Sequence, residues 1–115
     1  MSERLKLIVE TLEDLKLFDI DVFDFLDVSP YYDYQIICSA SNERQAHSSI
    51  EFIKKVIYET DEFHVESDLH HRWVLLDLGD IIIHVMHQET RSDYQIEKLF
   101  FNRRKVNLEE IHHGV

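Results

Sequence analysis

Glycine is nearly absent from this chain. Gly79 and Gly114 are the only two, and only Gly79 lies away from the C-terminus. A glycine-rich loop to cradle phosphate is therefore missing, and with it the usual backbone apparatus of phosphoryl transfer. Cysteine is scarcer still. Cys38 stands alone, so neither an intramolecular disulfide nor a cysteine-built zinc site can form, which fits a reducing cytosol. No apolar run approaches the roughly 20 residues of a membrane helix. Met1-Ser2-Glu3-Arg4 lacks the basic start and apolar block of a signal peptide. The expectation is a cytoplasmic chain with no membrane partner. Basic residues are also short: 12 Lys and Arg against 23 Asp and Glu leave a formal charge of −11. Such a chain repels a phosphate backbone, so no direct nucleic-acid specificity is expected. It is drawn instead to basic surfaces, including a basic protein seated on RNA.

What is present is an ordinary folding chain: 115 residues, enough for one domain with its own core. Its most informative stretch is residues 72–86. Trp73–Leu76 and Ile81–Met86 are apolar and rich in β-branched residues, as strands prefer. Gly79 marks a turn between them that needs positive φ. With Leu78 and Gly79 at the turn centre, Asp77 faces Asp80, Leu76 faces Ile81, and Trp73 faces His84. Strand alternation then gives one purely apolar face: Val74, Leu76, Ile81, Ile83 and Val85. The other face carries Trp73, Leu75, Asp77, Asp80, Ile82, His84 and Met86. A face mixing an aromatic anchor, aliphatics and charge suits the centre of a protein-binding surface. The alternative is that a helix covers it and the polar groups sit at its rim.

Along the rest of the chain, Leu5, Ile8, Val9, Leu12 and Leu15 recur at helical spacing, predicting a helix over residues 2–16. Residues 20–26 and 31–39 read as strands around a turn at Asp27-Val28-Ser29-Pro30. In the second, Gln35, Ile37 and Ser39 share one face; Tyr34, Ile36 and Cys38 share the other. Asn42 and Gln45 form a capping box for a helix over residues 42–59, ended by Thr60-Asp61-Glu62. A short strand over 63–66, a polar loop over 67–71, the hairpin, and a short helix over 89–93 follow. Ile96, Leu99 and Phe100 are expected to pack back, and residues 102–115, with weak periodicity, read as a tail, partly helical or disordered. This order predicts an α/β (mixed α+β) domain: one mixed sheet of about five strands, with helices packed on it and a parallel crossover through the second helix.

Two clusters bear on chemistry. Asp77 and Asp80 form a potential carboxylate pair for Mg²⁺ or acid–base work, in the manner of a nucleotidyltransferase. Turn-flanking aspartates are the commoner reason for such a pair, and no phosphate cradle is near. The eight histidines lack metal-ligand spacing: His84 and His87 point to opposite faces of a strand, His70 and His71 are loop neighbours, and His112 and His113 lie in the tail. No metal or cofactor is expected. Cys38 reads as a core residue. Arg103-Arg104-Lys105 is a basic knot, either solvated or touching RNA.

Two blocks carry a resemblance. Asp33-Tyr34-Gln35-Ile36-Ile37-Cys38-Ser39-Ala40-Ser41-Asn42-Glu43-Arg44-Gln45 resembles the first signature of the ribosomal silencing factor (Iojap-like) family. Residues 73–86, with Arg91, Tyr94, Glu97 and Leu99 downstream, resemble the second. The likeness runs from about Leu5 to Phe100, setting a domain over 1–101 apart from a tail over 102–115. It implies a nucleotidyltransferase-like fold without catalytic apparatus: a binding protein, not an enzyme. Members dimerise and bind the large ribosomal subunit through protein L-fourteen. There they block joining of the small subunit and damp translation when nutrients are scarce. Carried over, the contacts are Trp73, Leu75, Asp77, Asp80, Ile82, His84 and Met86, with Arg91 and Tyr94 nearby. The chain departs from the family pattern at Ala40 and Ser67, where glycine is frequent, and at Phe100, where tryptophan is usual.

Overall fold

Helix α1, Glu3–Asp14, forms on the stripe the sequence spells, with Leu5, Ile8, Val9 and Leu12 fully buried. The computed structural model describes residues 3–57 and 63–113. Left-handed backbone at Lys16 (φ 66°) turns the chain into β1, Phe18–Asp24. Strand β2, Tyr34–Ala40, is buried along its whole length. Helix α2, Glu43–Val56, starts at Asn42, whose side chain accepts the Gln45 N–H at 2.8 Å. Gln45 reaches one residue further back than a capping box does, and its Oε1 accepts from the Ser41 N–H at 2.7 Å. Its amide nitrogen donates to the carbonyls of Leu15 and Lys16, both at 2.9 Å. One side chain thus ties the start of α2 to the end of α1. The expected stop at Thr60-Asp61-Glu62 lies outside the described residues.

Strands β3 (His64–Ser67), β4 (Trp73–Asp77) and β5 (Ile81–His87) follow, then helix α3 (Gln88–Tyr94) and a tight 3₁₀ turn, Ile96–Phe100. The sheet runs β3-β4-β5-β2-β1-β6, one strand more than expected. Among the described residues only β2 and β5 pair in parallel, which is the crossover that α2 carries. Helices α1 and α2 cover one face, over Val22, Ile36, Cys38, Val74, Leu76, Ile83 and Val85. The opposite face holds a smaller aromatic cluster, where Ile96, Phe100 and Tyr32 pack on Phe23, Phe25, Ile37 and Met86. Leu99 does not pack back. Ile96 and Phe100, four residues apart, face the sheet, and Leu99 is left 75% exposed.

Over residues 102–113 the segment read as a tail is folded against the domain and partly helical. Lys105–Val106 is a sixth strand, β6, beside β1, and Leu108–His113 is helix α4, which buries Ile111 in the main core. The basic knot engages the chain's own carboxylates. Arg103 meets Asp27 at 2.8 Å, Arg104 meets Asp24 at 3.6 Å and Lys105 meets Asp21 at 3.3 Å. A two-residue strand is too short to show a period, and charge pairing across 80 residues leaves no local pattern.

Candidate partner-binding face

The hairpin turn sits one residue later than expected, with Gly79 and Asp80 between Leu78 and Ile81. Trp73 pairs with Met86 and Asp77 with Ile82, two positions out from the expected register. Leu78 N–H closes the turn on the Ile81 carbonyl at 3.0 Å, and Gly79 takes the positive φ expected of it, 87°. An offset of two preserves the alternation, so the two faces survive the shift. Val74, Leu76, Ile81, Ile83 and Val85 all lie beneath the helices. The mixed face looks the other way, and α3 and the 3₁₀ turn cover only part of it.

Trp73, Leu75, Asp77 and Ile82 keep partial exposure, and Tyr94 is 66% exposed. The Trp73 and Tyr94 rings are 5.5 Å apart between centroids and tilted by 54°. Together they form an aromatic ledge beside an aliphatic strip. Asp77 sits at the strip's end, and its Oδ1 accepts the Gly79 N–H at 2.9 Å. Trp73 is held from two sides. The Asp68 carboxylate accepts the N–H groups of Arg72 and Trp73 at 2.7 and 3.1 Å, fixing the loop that leads into β4. Desolvation works against the ionised Asp68, but these N–H groups outweigh it and hold its carboxyl below the ordinary range. On the strand itself, the indole N–H donates to His84 Nδ1 at 3.2 Å.

Four of the expected contact residues are placed differently. Asp80 is not on the face. It falls in the displaced turn, outside strand alternation, and its carboxylate takes Arg4 Nε of α1 at 2.9 and 3.1 Å. The two aspartates therefore do not form a pair: one caps the turn and the other anchors a helix. Met86 is fully buried, because the 3₁₀ turn folds back over its end of β5. His84 is 8% exposed, and its Nε2 meets Gln35 Oε1 at 3.0 Å. Arg91 is 7% exposed and faces inward. It donates to Asp21 Oδ2 at 2.8 Å, to Ser39 Oγ at 3.0 Å, to Glu97 Oε1 at 3.4 Å and to the Asp19 carbonyl. These three support the face rather than present it.

Gln35 and Asp68 were not among the expected site residues. Strand alternation already put Gln35 on the same side as Ile37 and Ser39. The parallel pairing that sets it beside Ile82 is the missing piece. Burial pushes the Cys38 thiol up to about 12, so it is no nucleophile at neutral pH. Among the described residues no three His, Cys, Asp or Glu side chains gather to hold an ion, and no helix is long and apolar enough to cross a membrane.

Comparison with known proteins agrees with the geometry. A family model described as "Ribosomal silencing factor during starvation" matches residues 1–114, so the likeness extends through β6 and α4. The ribosomal silencing factor of Halalkalibacterium halodurans is 32% identical over 112 residues, covering 96% of both chains. That of Haemophilus influenzae is 38% identical over 97 residues, covering 81% of this chain and 93% of its own. A crystal structure from Bacillus halodurans superposes with a TM-score of 0.77 at 33% identity, covering 91% of this chain and 97% of the other. The chain belongs to the ribosomal silencing factor family.

Proposed function

We propose that this chain binds the large ribosomal subunit through protein L-fourteen and blocks joining of the small subunit, lowering translation under nutrient limitation. The contact face is Trp73, Leu75, Asp77, Ile82 and Tyr94. His84, Met86 and Arg91 hold it from behind, and Asp80 braces the adjoining turn. One observation carries the reading. A partly exposed indole is fixed at the sheet surface beside uncovered aliphatics, which is the form of an interface anchor. The charge of −11 favours a basic partner surface. Occlusion breaks and makes no covalent bond, so it calls for no catalytic group. The Mg²⁺-dependent alternative finds no support in the placement of Asp77 and Asp80, since Arg4 occupies one of them. A homodimer and a cytoplasmic setting belong to the same proposal and rest on the family resemblance. Light scattering measures the first.

Co-sedimentation with purified large subunits tests the proposal. The wild-type chain is expected in the pellet, and addition of small subunits should then yield fewer joined ribosomes. Trp73→Ala should weaken binding by about 2 kcal/mol or more, as removal of a central aromatic anchor does. A wild-type chain that stays in the supernatant, or a folded Trp73→Ala variant that binds normally, contradicts the proposal.

A further inference from the structure

The rings of His47 and His71 meet although 24 positions separate them in the chain. His47 Nδ1 lies 3.2 Å from His71 Nε2, with ring centroids 4.6 Å apart and planes inclined by 68°. His47 projects from α2 and His71 from the loop before β4. His71 also holds left-handed backbone, φ 54°, an uncommon state for a residue with a Cβ. Two kinds of contact bring imidazole nitrogens this close. One is an N–H···N hydrogen bond. The other is a shared metal ion. Nitrogens bound to one zinc at about 2.0–2.1 Å lie about 2.9–3.4 Å apart, from octahedral to tetrahedral angles. The observed separation falls inside that interval.

We propose that His47 and His71 form a two-point chelate for a divalent transition ion of the zinc, nickel and copper class. Imidazole nitrogen suits this class, whereas magnesium and calcium take oxygen. The guanidinium next to His71 in the chain is offset: Arg72 pairs with Glu43 and Glu89 at 3.6 and 3.3 Å. Water or an incoming group completes the coordination shell, because no third protein ligand is gathered among the described residues. The bound ion would tie α2 to the loop that Asp68 fixes in front of Trp73, and so to the edge of the candidate face.

Isothermal titration of the full chain with Zn²⁺ and with Ni²⁺, in a non-chelating buffer at neutral pH, tests this. Wild type and His112→Ala are expected to bind one ion each. His47→Ala and His71→Ala should each weaken binding by about tenfold or more, since the chelate loses one of its two protein ligands. Both residues lie at the surface, and circular dichroism checks that the variants are folded. Three results overturn the proposal: no binding by wild type at about 1 mM ion, binding by either variant as tight as that of wild type, or Mg²⁺ binding as tightly as Zn²⁺.

Discussion

The indole N–H of Trp73 and Nδ1 of His84 meet at 3.2 Å on neighbouring strands. The contact settles the state of the imidazole. Nδ1 accepts from the indole, so Nε2 carries the proton and donates to Gln35 Oε1 at 3.0 Å. Trp73 therefore uses its own polar atom inside the protein and offers a partner only its apolar body and edge. His84 is 8% exposed, and desolvation by burial brings its pKa down to about 4.

That depression predicts an acid-sensitive fold. The unfolded chain takes up the His84 proton below about pH 6.5, while the folded chain resists until about pH 4. Between those values the unfolded state binds more protons, so stability falls as pH falls. The loss at this one site reaches about 3 kcal/mol near pH 4. Urea denaturation of wild type and His84→Gln across pH 4–7 measures it. The variant should show a shallower pH dependence, and equal slopes would mean that the imidazole does not carry the effect.

The separate fates of Asp77 and Asp80 predict unequal roles. Asp77 stands at the open end of the face, whereas Asp80 is engaged by Arg4 on α1. Asp77→Asn keeps an oxygen for the Gly79 N–H and removes the charge. It should slow association with large subunits several-fold and flatten the salt dependence. Asp80→Asn should leave the association rate nearly unchanged and cost less than about 1 kcal/mol of stability, as partly exposed ion pairs do. Stopped-flow association at two ionic strengths distinguishes them. A larger rate effect at Asp80 would move the contact surface to the α1 side.

Strand alternation made the two faces legible, because an even error in register leaves every side chain on its own side. For the same reason the sequence could show which residues share the mixed face without showing how far each is buried. Met86 and His84 read as face residues by parity. Whether they are open depends on the 3₁₀ turn from Ile96, which is remote in sequence from Trp73. Arg91 read as a neighbour of the face from family likeness alone, and its inward path to Asp21 spans 70 positions. The His47–His71 contact was hidden in the same way, since ligand spacing along the chain sees only local pairs. Helix α2 was legible to its cap because Asn42 and Gln45 act within one turn.

Arg91 is expected to be a stability residue before it is anything else. Its guanidinium, 9% exposed as a side chain, joins Asp21 and Glu97 with Ser39 and the Asp19 carbonyl. Replacing it by Met strands two carboxylates in a confined site, a loss on the order of 3–5 kcal/mol. Lys105 near Asp21 at 3.3 Å relieves part of that. Arg91→Lys cannot reach all four partners at once, so it should recover only part of the loss. Chemical denaturation gives both values. Near-native stability in Arg91→Met would show that the network contributes little.

Shortening the chain to residues 1–101 removes β6 and α4, and with them Val106 and Ile111, which are 2% and 0% exposed. Each side chain contributes about 1.5–3 kcal/mol by burial, so the truncation should cost about 3–6 kcal/mol before any hydrogen bond is counted. That is a large share of the roughly 5–15 kcal/mol that holds an ordinary domain together. Loss of the charges alone cannot produce it. Arg103→Gln in the intact chain removes the Asp27 pair, which is mostly solvent-facing on the carboxylate side, and should cost less than about 1 kcal/mol. Ile111→Ala separates the two causes, because it keeps every charge and empties one core position, for an expected loss of about 2–5 kcal/mol. If urea midpoints of the truncated chain and of Ile111→Ala match wild type, α4 is not part of the core. If Arg103→Gln loses as much as the truncation, ion pairs rather than burial hold the C-terminal segment in place.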